Sequence, residues 1–188
     1  MSRLMIVDDE EAILRSLRRL LLAVPCRTGH SSYQLEIEVF ASPLQALERA
    51  RHAAFDLFLS DYRMPGMDGV AFLKAVRELQ PDAARLILSG YADLNALLGA
   101  INEAQIFRFL SKPWNDFELV SAIAQALEYR DLMLENQRLA DLVRVQMGRM
   151  TAQELELKRL EALEPGLTKV NWGPDGSVIL DEEFRDLE

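Results

Sequence analysis

Five polar residues each follow or close a short apolar run of the chain. They are Asp8, Asp9, Asp61, Ser89 and Lys112. Three carboxylates, a hydroxyl and an ammonium group can together hold a hard divalent cation and a phosphoryl group, because Mg²⁺ prefers oxygen ligands and cationic groups neutralise phosphoryl oxygens. Asp61 is the natural nucleophile of this set, since a carboxylate can form an acyl phosphate.

Each of these acids, taken alone, has a simpler interpretation as the end of a strand or the cap of a helix. Asp8 or Asp9 could cap a helix that follows the first apolar run, and Asp68 could cap another. All five polar residues nevertheless recur at the ends of apolar runs. This recurrence favours one shared site over five unrelated caps.

Short apolar runs alternate with helical patterns, which indicates a parallel α/β sheet with helices on both faces. Strands are predicted near Leu4–Val7, Glu36–Phe40, Leu57–Leu59, Arg85–Leu88 and Arg108–Leu110, and helices near Glu11–Val24, Pro43–Arg51, Gly69–Leu79, Asp93–Glu103 and from Asp116 onward. Ligands of such open sheets bind beyond the carboxyl ends of the strands. The five polar residues are therefore predicted to meet in one crevice.

Four motifs resemble those of the receiver domain of bacterial two-component response regulators. They are Val7-Asp8-Asp9-Glu10, Asp61-Tyr62-Arg63-Met64-Pro65-Gly66-Met67-Asp68-Gly69, Leu88-Ser89-Gly90-Tyr91 and Phe109-Leu110-Ser111-Lys112-Pro113-Trp114. The resemblance covers residues 1–128. It implies a flavodoxin-like, doubly wound sheet of five parallel strands in the order 2-1-3-4-5.

The resemblance also implies the chemistry of the crevice. Asp61 would be the phosphoacceptor for a sensor histidine kinase. Asp8 and Asp9 would bind Mg²⁺ together with Asp61 and the backbone carbonyl of Arg63. Lys112 would contact the phosphoryl group.

Ser89 and Phe109 would be the switch positions of such a domain. The Lys112–Pro113 peptide is predicted to be cis, because X–Pro bonds tolerate cis and a tight turn after a buried strand uses it. Every required polar position is present. We therefore expect a competent receiver that is no enzyme beyond the formation and loss of its own Asp61 phosphate.

A phosphatase of the haloacid dehalogenase type is the alternative from another functional class, since it also uses Asp, Ser or Thr, and Lys. That class places its nucleophile on the first strand with a second acid two residues on. Here the first strand ends in the adjacent pair Asp8-Asp9. The spacing therefore favours a receiver.

Composition agrees with one domain of ordinary size and an appendage, since the chain has 188 residues of which 49% are hydrophobic. No run approaches the roughly 20 apolar residues of a membrane span. Nothing at the N-terminus has the pattern of a signal peptide. A cytoplasmic protein without a membrane partner is expected.

The connection from Pro25 to Leu35 is longer than the roughly 2–6 residues typical of α/β units, and it departs from the tighter receiver pattern. An exposed loop is the simpler interpretation, and a partner-specific contact is the alternative. Cys26, the single cysteine, excludes an internal disulfide. It is expected to be an incidental loop or core thiol.

Residues 129–164 are rich in helix-forming residues and predict a coiled-coil helix that continues the last receiver helix. A seven-residue register places Tyr129, Asn136, Val143, Met150 and Leu157 at position a, and Leu132, Leu139, Gln146, Gln153 and Leu160 at position d. A lone Asn at position a fixes the register of parallel two-stranded coils. A homodimer through residues 129–164 is predicted, with a weak segment at 146–153 around Gly148.

Two alternatives remain for this helix, which could fold back on its own receiver or dock on another signalling protein without dimerising. After it, residues 165–188 are predicted to form a β-hairpin about a Pro174-Asp175-Gly176 turn, followed by an acidic tail. Trp172 is the expected anchor of that hairpin.

Charge bears on the output of the receiver. Residues 129–188 carry 8 Lys and Arg against 13 Asp and Glu, a net charge of −5 within a total of −9. Acidic charge disfavours nucleic acid, so a downstream protein target is predicted and DNA is not. A constitutive scaffold with a vestigial pocket is a third possibility, which the intact Asp61, Ser89 and Lys112 disfavour.

Overall fold

A five-stranded parallel sheet forms the centre of the domain. The computed structural model describes residues 1–90, 104–148 and 150–163. The strands of the sheet are β1 (Ser2–Val7), β4 (Leu35–Phe40), β5 (Leu57–Asp61), β6 (Ala84–Gly90) and β7 (Arg108–Lys112), in the order β4-β1-β5-β6-β7. All four pairings are parallel. When only the strands of this sheet are numbered along the chain, their order is 2-1-3-4-5. The predicted flavodoxin-like fold and its strand order are therefore confirmed.

Helices cover both faces of this sheet. They are α1 (Glu11–Ala23), α2 (Pro43–His52), α3 (Gly69–Leu79), α4 (Asp116–Gln146) and α5 (Ala152–Leu163). The first part of α4 packs with α1 on one face, and α2 packs with α3 on the other. β5 is buried along its whole length, because a central parallel strand is covered on both sides.

Local signals in the sequence explain where two of these helices begin. Asp68 caps α3, and its Oδ1 accepts a hydrogen bond from the backbone N–H of Ala71 at 2.8 Å. Asn115 caps α4 in the same way, through the N–H of Glu118 at 3.1 Å. Both side chains satisfy N–H groups that have no partner inside the helix. The Lys112–Pro113 peptide is cis, as predicted.

The connection from Pro25 to Leu35 is largely exposed, as the simpler interpretation predicts, but it is a hairpin and not an irregular loop. It forms an antiparallel hairpin of β2 (Cys26–Arg27) and β3 (Ser32–Tyr33). Cys26 is buried in the core, and this burial raises the pKa of its thiol to about 11. The core position that was predicted as one of two possibilities for Cys26 is confirmed.

This hairpin forms hydrogen bonds with α4 where the helix extends beyond the sheet. The hydroxyl of Thr28 donates to Oε1 of Glu128 at 2.8 Å, and the hydroxyl of Tyr33 donates to Oδ2 of Asp131 at 3.2 Å. These bonds join residues about 100 positions apart in the chain. The position of this part of α4 is therefore fixed by contacts that local sequence patterns do not reveal.

α4 ends earlier than the sequence predicts. Its last helical residue is Gln146, Gly148 has a φ of +66°, and α5 begins at Ala152. This differs from the predicted single helix over residues 129–164, and the break falls inside the predicted weak segment. The predicted helix at Asp93–Glu103 and the predicted hairpin and tail at 165–188 lie outside the described residues.

None of the helices that the structure describes is both long and apolar enough to cross a membrane.

Candidate functional site

The carboxyl ends of β1, β5 and β7 bring Asp8, Asp61 and Lys112 into direct contact. The ammonium Nζ of Lys112 lies 2.7 Å from Oδ2 of Asp8 and 2.5 Å from Oδ1 of Asp61. Asp8 is fully buried and Asp61 is 6% exposed. Two buried carboxylates repel each other, so the shared cation stabilises the pair.

Backbone N–H groups hold the second oxygen of each carboxylate. The N–H of Glu10 donates to Oδ1 of Asp8 at 2.9 Å, and the N–H of Arg63 donates to Oδ2 of Asp61 at 3.0 Å. Hydrogen bonds to ionised groups are among the stronger ones in proteins. Both carboxylates are thus fixed in position and direction.

The electrostatics of the site reflect this burial. Burial raises the pKa of Asp8 above its ordinary value, and the hydrogen bond from Lys112 only partly offsets that rise. For Lys112, burial opposes the charged form, but its hydrogen bonds to Asp61 and Asp8 outweigh burial and raise its pKa above the ordinary value. Lys112 is therefore a cation at neutral pH.

The remaining predicted site residues lie around this cluster at different distances from it. Ser89 is buried on β6, one position after Leu88, which is the strand partner of Asp61, and its hydroxyl donates to the backbone oxygen of Gly90 at 3.2 Å. Asp9 is exposed immediately after Asp8. Phe109 lies on β7 and is 36% exposed.

Gly69 is a residue of the site that sequence reasoning missed as such. A Cβ atom at Gly69 would lie 2.0 Å from the backbone oxygen of Asp61 and 3.1 Å from the hydroxyl of Ser60. The N–H of Gly69 also donates to the backbone oxygen of Tyr62 at 2.8 Å. The start of α3 therefore packs against the backbone of Asp61 at a distance that only glycine permits. The signal in the sequence is the Asp68-Gly69 pair, which comes shortly after Asp61 at the end of β5.

The donor set of the cluster fits a Mg²⁺-type ion. Among the described residues, no three His, Cys, Asp or Glu side chains are grouped closely enough to hold a metal ion by themselves. Three are not required, because this ion is usually held by one or two carboxylates while waters and phosphate oxygens fill the other positions. Asp8 and Asp61 converge on one cation, Lys112, and supply two such carboxylates.

Removal of the shared cation tests how strongly this cluster is coupled. We expect Lys112→Met to lower the free energy of unfolding by about 3 kcal/mol at pH 7.5, because two buried carboxylates lose their partner. The hydrogen bond from Lys112 lowers the pKa of Asp8 against the effect of burial, so its removal raises that pKa further and the variant loses additional stability as the pH rises through the higher value. The loss should therefore be smaller at pH 5.5 than at pH 7.5.

Urea unfolding at both pH values measures this effect. Arg15→Met is the matched control, since Arg15 forms an exposed ion pair with Glu11, and such pairs contribute about 0–1 kcal/mol. Equal stability of Lys112→Met and wild type at both pH values would show that the cluster is not coupled.

The chain matches the response regulator receiver domain family over residues 4–124. The hydrogenase transcriptional regulatory protein HoxA of Bradyrhizobium diazoefficiens is 29% identical over 166 residues, which cover 88% of this chain and 31% of HoxA. The DNA-binding transcriptional regulator NtrC of Klebsiella pneumoniae is 33% identical over 124 residues, which cover 66% of this chain and 24% of NtrC. The chain thus spans about a third or less of the length of these curated relatives.

Solved structures agree with this assignment. The crystal structure of a CheY-like response regulator receiver domain protein from Methanospirillum hungatei JF-1 is similar with a TM-score of 0.62 at 26% identity, over 71% of this chain and 98% of that one. The fold and the strand-end cluster define a receiver of the two-component type. This chain belongs to the response regulator receiver domain family.

Proposed function

We propose that Asp61 accepts a phosphoryl group from a sensor histidine kinase in a Mg²⁺-dependent reaction. The observation that carries this proposal is the contact of one ammonium group, Lys112, with the two buried carboxylates Asp8 and Asp61 at the carboxyl edge of the sheet. Each oxygen of Asp61 has its own partner, the ammonium of Lys112 for Oδ1 and the N–H of Arg63 for Oδ2, so the carboxylate is held at the site where it would attack.

The proposed reaction transfers a phosphoryl group from nitrogen to oxygen. An Asp61 oxygen attacks phosphorus, so that a P–O bond forms while the P–N bond to the donor histidine breaks, and the departing imidazole takes a proton from solvent. The N–H of Arg63 holds Asp61 in a fixed direction, which removes part of the entropic cost of attack.

The surrounding side chains stabilise the charge that arrives with the phosphoryl group. The Lys112 ammonium neutralises phosphoryl oxygens, and the Ser89 hydroxyl turns to donate to one of them. Asp8, Asp9, Asp61 and the backbone carbonyl of Arg63 are the proposed Mg²⁺ ligands. When bound, the ion adds positive charge beside the phosphoryl oxygens.

Labelling by a small phosphodonor tests the proposal without the kinase. Incubation of the full chain with radiolabelled acetyl phosphate and Mg²⁺ should give about one label per chain, and hydroxylamine should remove that label because it cleaves acyl phosphates. Chelation of Mg²⁺ should prevent labelling. A label that resists hydroxylamine would contradict an aspartyl phosphate, and sustained hydrolysis of p-nitrophenyl phosphate would favour the phosphatase alternative.

The output proposed for this receiver is a change at α4 that reaches a downstream protein. Ser89 and Phe109 would rearrange around the phosphoryl group, and β7 leads into α4 within a few residues. A ligand shifts such an equilibrium only if it favours one of two packings. We propose that the exposed apolar side chains of α4 pair with those of a second copy, so that the dimer is the output element.

Transcriptional control through DNA is the second candidate output. The relatives HoxA and NtrC favour it, since HoxA is a transcriptional regulatory protein and NtrC binds DNA. The acidic charge of residues 129–188 argues against DNA contact by this segment itself. Fluorescence anisotropy of labelled duplex DNA with the phosphorylated chain separates the two, because a salt-dependent rise would favour the DNA output.

A further inference from the structure

The sequence between α4 and α5 encodes a reversal of the chain. Gly148 adopts a left-handed φ of +66°, and its N–H donates to the backbone oxygen of Val145 at 3.0 Å. Thr151 and Glu154 then form a capping box, in which the Thr151 N–H donates to Oε2 of Glu154 at 2.7 Å and the Thr151 hydroxyl accepts from the Glu154 N–H at 3.2 Å. A glycine stop followed by such a box ends one helix and starts another.

Asp141 joins the two helices after this reversal. Its Oδ2 lies 2.7 Å from Nζ of Lys158 on α5, and its Oδ1 lies 2.7 Å from a guanidinium nitrogen of Arg144. Asp141 is only 3% exposed although it lies on the projecting part of α4. The hydrogen bond from Lys158 holds the pKa of Asp141 below its ordinary value. α5 is therefore folded back along α4.

α5 lies against one side of α4 only. Residues of α4 and α5 line the cleft between the two helices, and on α4 they are Leu134, Gln137, Arg138, Asp141 and Leu142. Successive residues of an α-helix are rotated by about 100°. This rotation places the α4 residues of the cleft on one side of the helix, within a sector of about 140°.

The opposite side of α4 carries an apolar stripe that is about half exposed, with Tyr129 at its start in ring contact with Phe107. The α4 stripe consists of Tyr129, Leu132, Asn136, Leu139, Val143 and Met147. Its five apolar members are between 46% and 63% exposed. By the same rotation, the centre of this stripe lies about 150–160° away from Asp141.

We propose that a second copy of this chain pairs along the α4 stripe while α5 stays folded on the far side of α4. The dimer interface then ends near Met147, and α5 positions such as Leu157 do not belong to it. This inference rests on the self-association proposed above. In place of the predicted coiled coil of two continuous helices over residues 129–164, the dimer would consist of two hairpins, each formed by α4 and α5 of one chain.

Two properties of the stripe fit a second copy as its occupant. Tyr129, Leu132, Leu139 and Val143 lie at the a and d positions of a heptad. Asn136 at position a would meet its own symmetry mate in a parallel pair. Together with the flanking Met133, the stripe presents on the order of 600 Å² per chain, so that two copies bury about 1,200 Å², the lower end of stable interfaces.

Sedimentation of the full chain tests whether this stripe is the interface. Wild type should sediment as a dimer, and Leu139→Asp with Val143→Asp should shift it to a monomer, because charge enters the stripe. Leu44→Asp is the matched control, since Leu44 is a 65% exposed leucine on α2, and it should leave the dimer intact. A monomeric wild type, or a dimeric double variant, would overturn the interface while leaving the phosphorylation of Asp61 untouched.

Cysteine cross-linking tests the position of α5 in the dimer. In a Cys26→Ala background, Leu139→Cys should give a covalent dimer with a short bismaleimide, and Leu157→Cys should not. Asp141→Cys with Lys158→Cys should cross-link within one chain, and the locked protein should still sediment as a dimer. Efficient cross-linking between chains at Leu157→Cys, or a monomeric locked protein, would show that α5 extends into the interface and would overturn the proposal.

Discussion

Asp61→Asn is expected to abolish labelling by acetyl phosphate, with a decrease of at least about 100-fold. The amide introduced by this substitution keeps nearly the same shape as the carboxylate, but it lacks the negative oxygen that attacks phosphorus. Lys112 retains Asp8 as its partner in this variant, so the fold should be preserved. Labelling is measured per chain under conditions that give a near-stoichiometric label on wild type.

The control for this substitution is Asp82→Asn. Asp82 is exposed just before β6 begins, at the opposite end of that strand from Ser89. Its neutralisation removes the same charge from the chain but leaves the crevice unchanged, so labelling should equal that of wild type. Equal labelling of Asp61→Asn and wild type would refute Asp61 as the acceptor.

Gly69→Ala is expected to lower both stability and labelling. The new Cβ would need the space that the backbone oxygen of Asp61 occupies, so the end of β5 or the start of α3 must move. Overpacking of this kind costs on the order of 3 kcal/mol. A displacement of the nucleophile by about 1 Å also costs about 100-fold in rate.

Gly29→Ala is the matched control for this change. A Cβ at Gly29 would have no other atom within 4 Å. The free energy of unfolding of the Gly29→Ala variant should therefore stay within about 0.5 kcal/mol of the wild-type value. Urea unfolding and acetyl phosphate labelling of the two variants separate a local clash from a general intolerance of alanine. Wild-type labelling by Gly69→Ala would show that the contact with Asp61 does not matter for the reaction.

The sheet and its helices could be predicted because each element has a local signal. β1, β5 and β6 are short apolar runs that contain or are followed by polar residues at their carboxyl ends, and the parallel arrangement brings those ends to one edge. The meeting of Asp8 with Asp61 follows from this rule alone. The same rule predicts that Lys112, which ends β7, meets both acids.

Other features could not be predicted, because they depend on contacts between distant parts of the chain. The β2–β3 hairpin has only two residues in each strand, too few to show an alternating pattern. Its hydroxyl groups bond to Glu128 and Asp131, which no local pattern reveals. The approach of Gly69 to Asp61 likewise depends on the path of the chain between β5 and α3.

The end of α4 has a local signal in the sequence. Gly148 is followed by Thr151 and Glu154, which have the spacing of a capping box. A glycine followed within one turn by such a box predicts a new helix and not a continued one. Across residues 146–153, the glycine and the capping box therefore oppose the continuous helix that the heptad pattern predicts. The ion pair between Asp141 and Lys158 agrees with the alternative in which the chain folds back after α4.

Borohydride mapping of the phosphorylated residue tests the central claim most directly. Sodium borohydride reduces an aspartyl phosphate to homoserine, and mass spectrometry of peptides then locates the change. The full chain treated with acetyl phosphate and Mg²⁺ should carry homoserine in place of Asp61, and untreated protein should carry none. Homoserine in place of Asp8, Asp9 or another carboxylate, with Asp61 unchanged, would contradict the assignment of Asp61 as the phosphoacceptor.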